Sequence, residues 1–255
     1  MRLRDKVAII TGAGSGIGRE SALLFAQEGA KVAVAEVVEE TGRETAELIG
    51  QDAFFVKVDV SSWDDTERMV SETVKRFGRL DILFSNAGID LPQATTVVET
   101  TEADWDRTIA VNLKGVFLGA RHALPVMMAQ RYGVIVNTAS VAGIGAPRRE
   151  AAYGASKGGV VLLTRQMAVD YASYNIRVNC ICPGGVDKPT VDRHAFLRQS
   201  PGALAQRNER IARRVPLGKL CTARDAAYAA LYLACDESAH VTGTALVVDG
   251  GTLAL

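Results

Sequence analysis

Val7-Ala8-Ile9-Ile10-Thr11-Gly12-Ala13-Gly14-Ser15-Gly16-Ile17-Gly18 decides the fold: a short apolar run, a turn holding four glycines, then a helical pattern that opens at once. A strand feeding a helix through glycines is built to receive phosphate. Glycines permit unusual dihedrals and let backbone N–H groups approach an anion at the positive end of the helix dipole. Gly12, Ser15, Gly16, Ile17 and Gly18 are therefore candidate nucleotide contacts. The spacing is GxxxGxG rather than GxGxxG, and a Walker-type loop is excluded because Ile17 and Arg19 stand where its residues would be.

Outward from this loop, short β-branched runs alternate with longer segments of 3.6-residue period, the pattern of a parallel sheet covered on both faces. Strands are expected at Val7 to Ile10, Val32 to Ala35, Ala53 to Val58, Ile82 to Phe84, Val134 to Thr138, Ile176 to Ile181 and Ala245 to Val248. Helices are expected at Ile17 to Gln27, Glu40 to Ile49, Trp63 to Phe77, Glu102 to Gln130, Ala152 to Tyr171 and Ala223 to Cys235. This is an α/β fold, doubly wound on seven parallel strands, with residues 1–255 as one dinucleotide-binding catalytic domain. Residues 187–215 stand out as polar, Arg-rich and Pro-interrupted, and are expected to form a helical lid over the substrate.

Composition excludes several classes. With 29 basic and 29 acidic residues the formal charge is zero, so nothing global points to nucleic acid or an anionic membrane. No apolar run approaches the ~20 residues of a membrane span, and a cytoplasmic enzyme is the expectation. The four cysteines make no paired CxxC pattern and the three histidines lie far apart, so no metal site is expected. Cys180 and Cys182 would share one strand face as packing.

Glu36 ends the second strand, 18 residues past Gly18. An acidic residue there can accept hydrogen bonds from both ribose hydroxyls and repel a 2′-phosphate, and neither Ser15 nor Val37 offers a cation, which favours NAD over NADP. The alternative is that Glu36 is the first solvated residue of a loop. Tyr153 and Lys157, four residues apart in Tyr153-Gly154-Ala155-Ser156-Lys157, share a helix face, with Ser140 thirteen residues before the phenol. An ammonium beside a phenol favours the phenolate, so Lys157 is expected to lower the Tyr153 pKa and make it a proton donor or acceptor near neutrality. Ser140 falls at the carboxyl end of a strand, where open α/β sheets place their ligands.

In this order, on this pattern, the motifs resemble the short-chain dehydrogenase/reductase family over nearly the whole chain. Asp59-Val60, Asn86-Ala87-Gly88, Asn112, Pro183-Gly184 and Asp249-Gly250-Gly251 stand where further family motifs would. The resemblance implies a Rossmann-like sheet ordered 3-2-1-4-5-6-7 and a homotetramer built on the two long helices. It implies catalytic roles for Asn112, Ser140, Tyr153 and Lys157. Tyr153 would exchange the alcohol or carbonyl proton while hydride moves to or from nicotinamide, Lys157 would hold the ribose, and Asn112 would bind a water relaying protons to the lysine. It also implies that Asp59 and Val60 contact adenine, that Asn86, Ala87 and Gly88 line the nicotinamide-side ribose, and that Pro183, Gly184 and Val186 complete the cofactor site. For Asn112 the residue alone suggests no more than an exposed helical Asn.

Two departures bear on the reading. Ser85 replaces the first residue of the usual Asn-Asn-Ala-Gly, and Lys188 stands where a Thr often contacts the carboxamide; Thr190 takes that role through a shifted loop, or the contact is lost. Substrate class belongs to 90–94, 141–150 and 187–215. The last segment holds seven Lys/Arg against three Asp/Glu plus His194, which reads either as an attractor of anionic substrate or as a solvated face. Arg148, Arg149 and Glu150 precede the tyrosine, and Arg149 is expected to favour carboxylate-bearing substrates. The activity expected is oxidoreduction of a small secondary alcohol and its ketone with NAD. The rivals are a non-catalytic NAD-binding sensor or scaffold on the same fold, and a sugar-nucleotide epimerase, for which 255 residues leave little room. Enoyl reductases space their Tyr and Lys more widely.

Overall fold

The first strand, β1 (Val7–Thr11), is buried at all of its positions, as a central strand covered on both faces must be. A computed structural model describes residues 1–90, 95–187 and 202–255. In chain order it continues with α1 (Gly16–Gln27), β2 (Lys31–Glu36), α2 (Glu39–Ile49), β3 (Ala53–Lys57), α3 (Trp63–Phe77) and β4 (Ile82–Ser85). Then come α4 (Glu102–Ile109), a π-helical turn (Ala110–Lys114), α5 (Gly115–Gln130), β5 (Gly133–Thr138) and α6 (Ala151–Tyr171). The chain ends with β6 (Ile176–Pro183), α7 (Ala203–Ala212), α8 (Ala223–Ala234) and β7 (Ala245–Val248).

All seven strands join one sheet in the order β3-β2-β1-β4-β5-β6-β7, every pairing parallel. Alternation along the strands divides the core. Ala8, Ile10, Val32, Val34, Phe84 and Val136 face one side with Phe25 of α1 and Leu231 of α8. Ile9, Ala33, Leu83 and Ile135 face the other with Met69 of α3 and Met127 of α5. Helix starts are fixed by side-chain caps: Ser62 accepts from the Asp65 amide, and Thr222 and Asp225 form a capping box at α8. No helix among the described residues is long and apolar enough to cross a membrane.

Two expected elements differ. The single helix over Glu102 to Gln130 is three pieces, because the π turn admits an extra residue and rotates Asn112 into the interior, where it is fully buried. The local pattern of α4 and α5 is helical on both sides, so sequence periodicity carries across the bulge unnoticed. The segment expected as a lid is described from 202 onward, where it forms α7; Lys188, Thr190 and His194 lie outside the described residues, as do 91–94. Cys180 and Cys182 are buried in the core, as packing on one strand face required.

Candidate active site

The glycine turn puts two left-handed residues at the β1–α1 junction, Gly12 (φ 65°) after β1 and Gly16 (φ 52°) as the first residue of α1. A Cβ on Gly12 would stand 2.9 Å from Ala87 Cα, so the loop is a close backbone approach that a side chain would break. Ser15 caps α1 in an extended conformation (φ −161°) yet makes no side-chain capping bond, and the first turn of α1 carries no acidic residue. A helix N-terminus left open in this way, behind a glycine cradle, fits a nucleotide pyrophosphate.

Hydrogen bonds tie this loop to the adjacent strand ends. Thr11 Oγ1 accepts from the amides of Asn86 and Ala87, each at 3.0 Å. The Asn86 amide group donates to Thr11 O at 3.1 Å and accepts from Thr138 Oγ1 at 3.2 Å. Glu36 Oε2 accepts from the Gly14 amide at 2.9 Å, while Oε1 accepts from Val37 and Val38 at 2.9 and 3.2 Å. Glu36 is therefore fixed against the loop rather than left as a mobile surface carboxylate. Arg19, a nearby cation that the sequence reading passed over, donates to Gly14 O at 2.9 Å and Glu44 Oε2 at 2.6 Å. Asp59 accepts from the amide and hydroxyl of Ser61 at 2.9 and 2.7 Å, which shapes the turn where Val60 is buried against Gly115. At the far side, Pro183 ends β6, Gly184 packs against Asp249, and Val186 bridges to Cys221.

The four candidate catalytic residues converge at the carboxyl ends of β4 and β5. Lys157 is 3 % exposed, donates to Thr138 O at 2.7 Å, and lies 5.8 Å from the centre of the Tyr153 ring. Asn112 clasps the chain after β4, its Oδ1 accepting from the Ile89 amide and its Nδ2 donating to Ile89 O, both at 2.8 Å. The same Nδ2 donates to Ser156 Oγ at 3.1 Å, whose hydroxyl donates to Tyr153 O at 2.7 Å. A Cβ on Gly88 would be 3.3 Å from both Asn112 Oδ1 and Lys157 Nζ, so the glycine of Asn86-Ala87-Gly88 keeps the space between the nucleotide loop and these side chains. Ser140 Oγ accepts from the Ala142 amide at 3.1 Å, which turns the chain after β5.

The phenol departs from expectation. Burial pushes the Tyr153 pKa up to about 12, a hydrogen bond with Ser140 pulls it down in part, and the neighbouring Glu150 raises it further. Desolvation of the phenol outweighs the depression expected from Lys157, whose ammonium donates to the Thr138 carbonyl. Thr11, Thr138 and Ser156 are polar members of this network that sequence reasoning missed; Thr138 and Thr11 each stand at a strand's carboxyl end, the one signal that was available.

In the loop before α6, Arg149 is engaged by an acidic residue. Its guanidinium pairs with Glu99 at 3.0 Å, joining the segment after 95 to the loop that borders the tyrosine. Hydrogen bonds from Thr96, then Arg149, hold the Glu99 carboxyl down to about 2, so the pairing persists above the ordinary carboxylate value and is lost as pH falls towards about 2. Arg149 also has a left-handed backbone (φ 65°). Arg149→Gly is therefore expected to be more stable than Arg149→Ala by about 1 kcal/mol, since both lose the ion pair and only Ala keeps the strain. Urea unfolding midpoints of the two variants check this, and equal midpoints would contradict it.

This fold and site define the chain's class: it belongs to the short-chain dehydrogenase/reductase family of oxidoreductases, which use NAD(P) nucleotides. The family profile described as Enoyl-(Acyl carrier protein) reductase matches residues 12–252. An uncharacterized oxidoreductase of Thermotoga maritima is 44% identical, with 100% of both chains covered. Secoisolariciresinol dehydrogenase of Forsythia intermedia is 41% identical over 98% of this chain and 90% of its own. The crystal structure of levodione reductase superposes with a TM-score of 0.91 at 36% identity, covering 99% of each chain.

Proposed function

We propose that the protein is an NAD-dependent dehydrogenase that interconverts a small secondary alcohol and its ketone, with Tyr153 as the general acid/base. The strongest support is convergence: Ser140, Tyr153 and buried Lys157 stand at the strand ends beside the glycine loop, linked to it through Thr138 and Asn86. Relatives named as secoisolariciresinol and borneol dehydrogenases, and the levodione reductase fold, agree with alcohol and ketone chemistry. The four-residue step from Tyr153 to Lys157 favours carbonyl over enoyl reduction.

The nicotinamide, when bound, supplies the hydride or accepts it. The chain's own residues do the rest. Ser140 orients the substrate oxygen, and Tyr153 donates a proton to it in reduction or removes one in oxidation. Lys157, held by Thr138 O, places positive charge near the phenol and would hold the nicotinamide ribose. Gly12, Ser15, Gly16, Ile17 and Gly18 would hold the pyrophosphate, Asp59 and Val60 the adenine, and Asn86, Ala87, Gly88, Pro183, Gly184 and Val186 the nicotinamide half. Apolar side chains exposed on the long helices, Phe117, Leu162 and Val169, support a homotetramer, and a cytoplasmic location belongs to the same proposal.

Glu36 sets the cofactor preference. A 2′-phosphate would meet a fixed carboxylate, and Arg19 is already engaged by Gly14 and Glu44. Like-charge contact of this kind costs several kcal/mol, so kcat/KM is expected to favour NAD over NADP by about 100-fold. Initial rates with both cofactors test the preference, and equal values would overturn it.

A further inference from the structure

We propose that Glu150 determines specificity by selecting alcohols and ketones that carry a protonated amine. The inference rests on the dehydrogenase reading and names a substrate class for the same site. Glu150 is the residue immediately before α6, three positions ahead of Tyr153. A cavity of about 540 Å³ opens there, lined among others by Thr95, Thr96, Ala142, Pro147, Glu150 and Gly154.

The backbone of Glu150 is fixed in place. Thr95 and Glu150 form a parallel bridge, and the Ala151 amide donates to Thr95 O at 3.3 Å. Glu150 nevertheless makes no side-chain capping bond to α6. It is half-buried, and among the described residues its carboxylate has neither a hydrogen bond nor an ion pair.

Two charged residues line the cavity among those described, and they are not equivalent. Arg149 is paired with Glu99 at 3.0 Å, while Glu150 has no ion-pair partner among the described residues. Among the described residues the cavity thus presents a negative group without a countercharge, three positions ahead of Tyr153 in the chain. Burial raises the Glu150 carboxyl above its ordinary value, which is the desolvation cost that a cationic partner relieves. Glu150 also pushes up the Tyr153 phenol, so an ammonium seated against it offsets that repulsion as well. A substrate whose amine lies next to its carbinol gains a charge-assisted hydrogen bond and eases removal of the carbinol proton.

Dimethylaminoisopropanol and its carbon isostere, methyl isobutyl carbinol, differ in this charge at neutral pH and hardly in shape. With NAD and the full chain, kcat/KM is expected to favour the amine by about tenfold or more, and Glu150→Gln to remove most of that ratio. Calorimetric binding of the same pair to the NADH-loaded protein reads the preference without turnover. Failure to oxidise these or any of a broad alcohol panel would overturn the dehydrogenase reading, while tighter binding of the amine that is lost in Glu150→Gln would still uphold the selection of cations at Glu150. Equal affinity and equal kcat/KM for the pair, or a preference that survives in Glu150→Gln, would overturn the selection of cations.

Discussion

Tyr153→Phe is expected to lower kcat for alcohol oxidation and ketone reduction by about a thousandfold while NADH binding persists. The variant removes one oxygen from a ring that stays packed against Lys157, so the fold and the glycine loop have no reason to move. Lost with that oxygen are the hydrogen bond with Ser140 and the single group placed to pass a proton to the substrate oxygen. With the phenol raised to about 12, the unliganded protein holds it protonated through the neutral range, the state required for ketone reduction. Reduction by the unaltered enzyme should therefore be flat with pH around neutrality, whereas oxidation, which needs the phenolate, should climb with pH. Steady-state rates and NADH fluorescence titration check both statements. Turnover within tenfold of the parent would remove Tyr153 from the proton-transfer step, and a protein that binds NADH but oxidises none of a broad alcohol panel would be the sensor rather than the enzyme.

The sheet was legible because its central strands are buried on both faces and its strands are rich in apolar residues, so all seven were found and their boundaries shift by a residue or two. The glycine loop was legible for a different reason: Gly12 combines a left-handed dihedral with a contact with Ala87 that leaves no room for a Cβ, and that requirement is written directly in residue type. Side-chain pairing was not legible. Arg149 read as a cation at the pocket, but Glu99, fifty residues earlier, pairs with it, and the half-buried Glu150 is the cavity charge without an ion-pair partner among the described residues. The Tyr153 pKa was not legible either, because four-residue spacing places an ammonium near a phenol without revealing how deeply the fold buries that phenol.

Asn112 shows what a local irregularity can do for a site, and Asn112→Ala should be costly on two counts. The π turn turns its amide inward, where it satisfies both the N–H and the C=O of Ile89 just after Asn86-Ala87-Gly88. Truncation leaves two partly buried backbone groups without partners, for a loss of about 2 kcal/mol. It also releases Ser156, whose hydroxyl bridges Asn112 to the Tyr153 carbonyl, and frees Gly88 to shift towards Lys157 Nζ. Small displacements of a proton donor are expensive, so kcat should fall by about tenfold to a hundredfold. Asn112→Asp separates the two effects. It keeps the acceptor for the Ile89 amide but sets a carboxylate oxygen against Ile89 O, so it should recover part of the stability and little of the rate. Urea unfolding and kcat measured on both variants decide the matter. An Asn112→Ala protein with the parent's midpoint and turnover would mean that the clasp on Ile89 positions nothing, and the π turn would then be a packing feature of the α4–α5 junction alone.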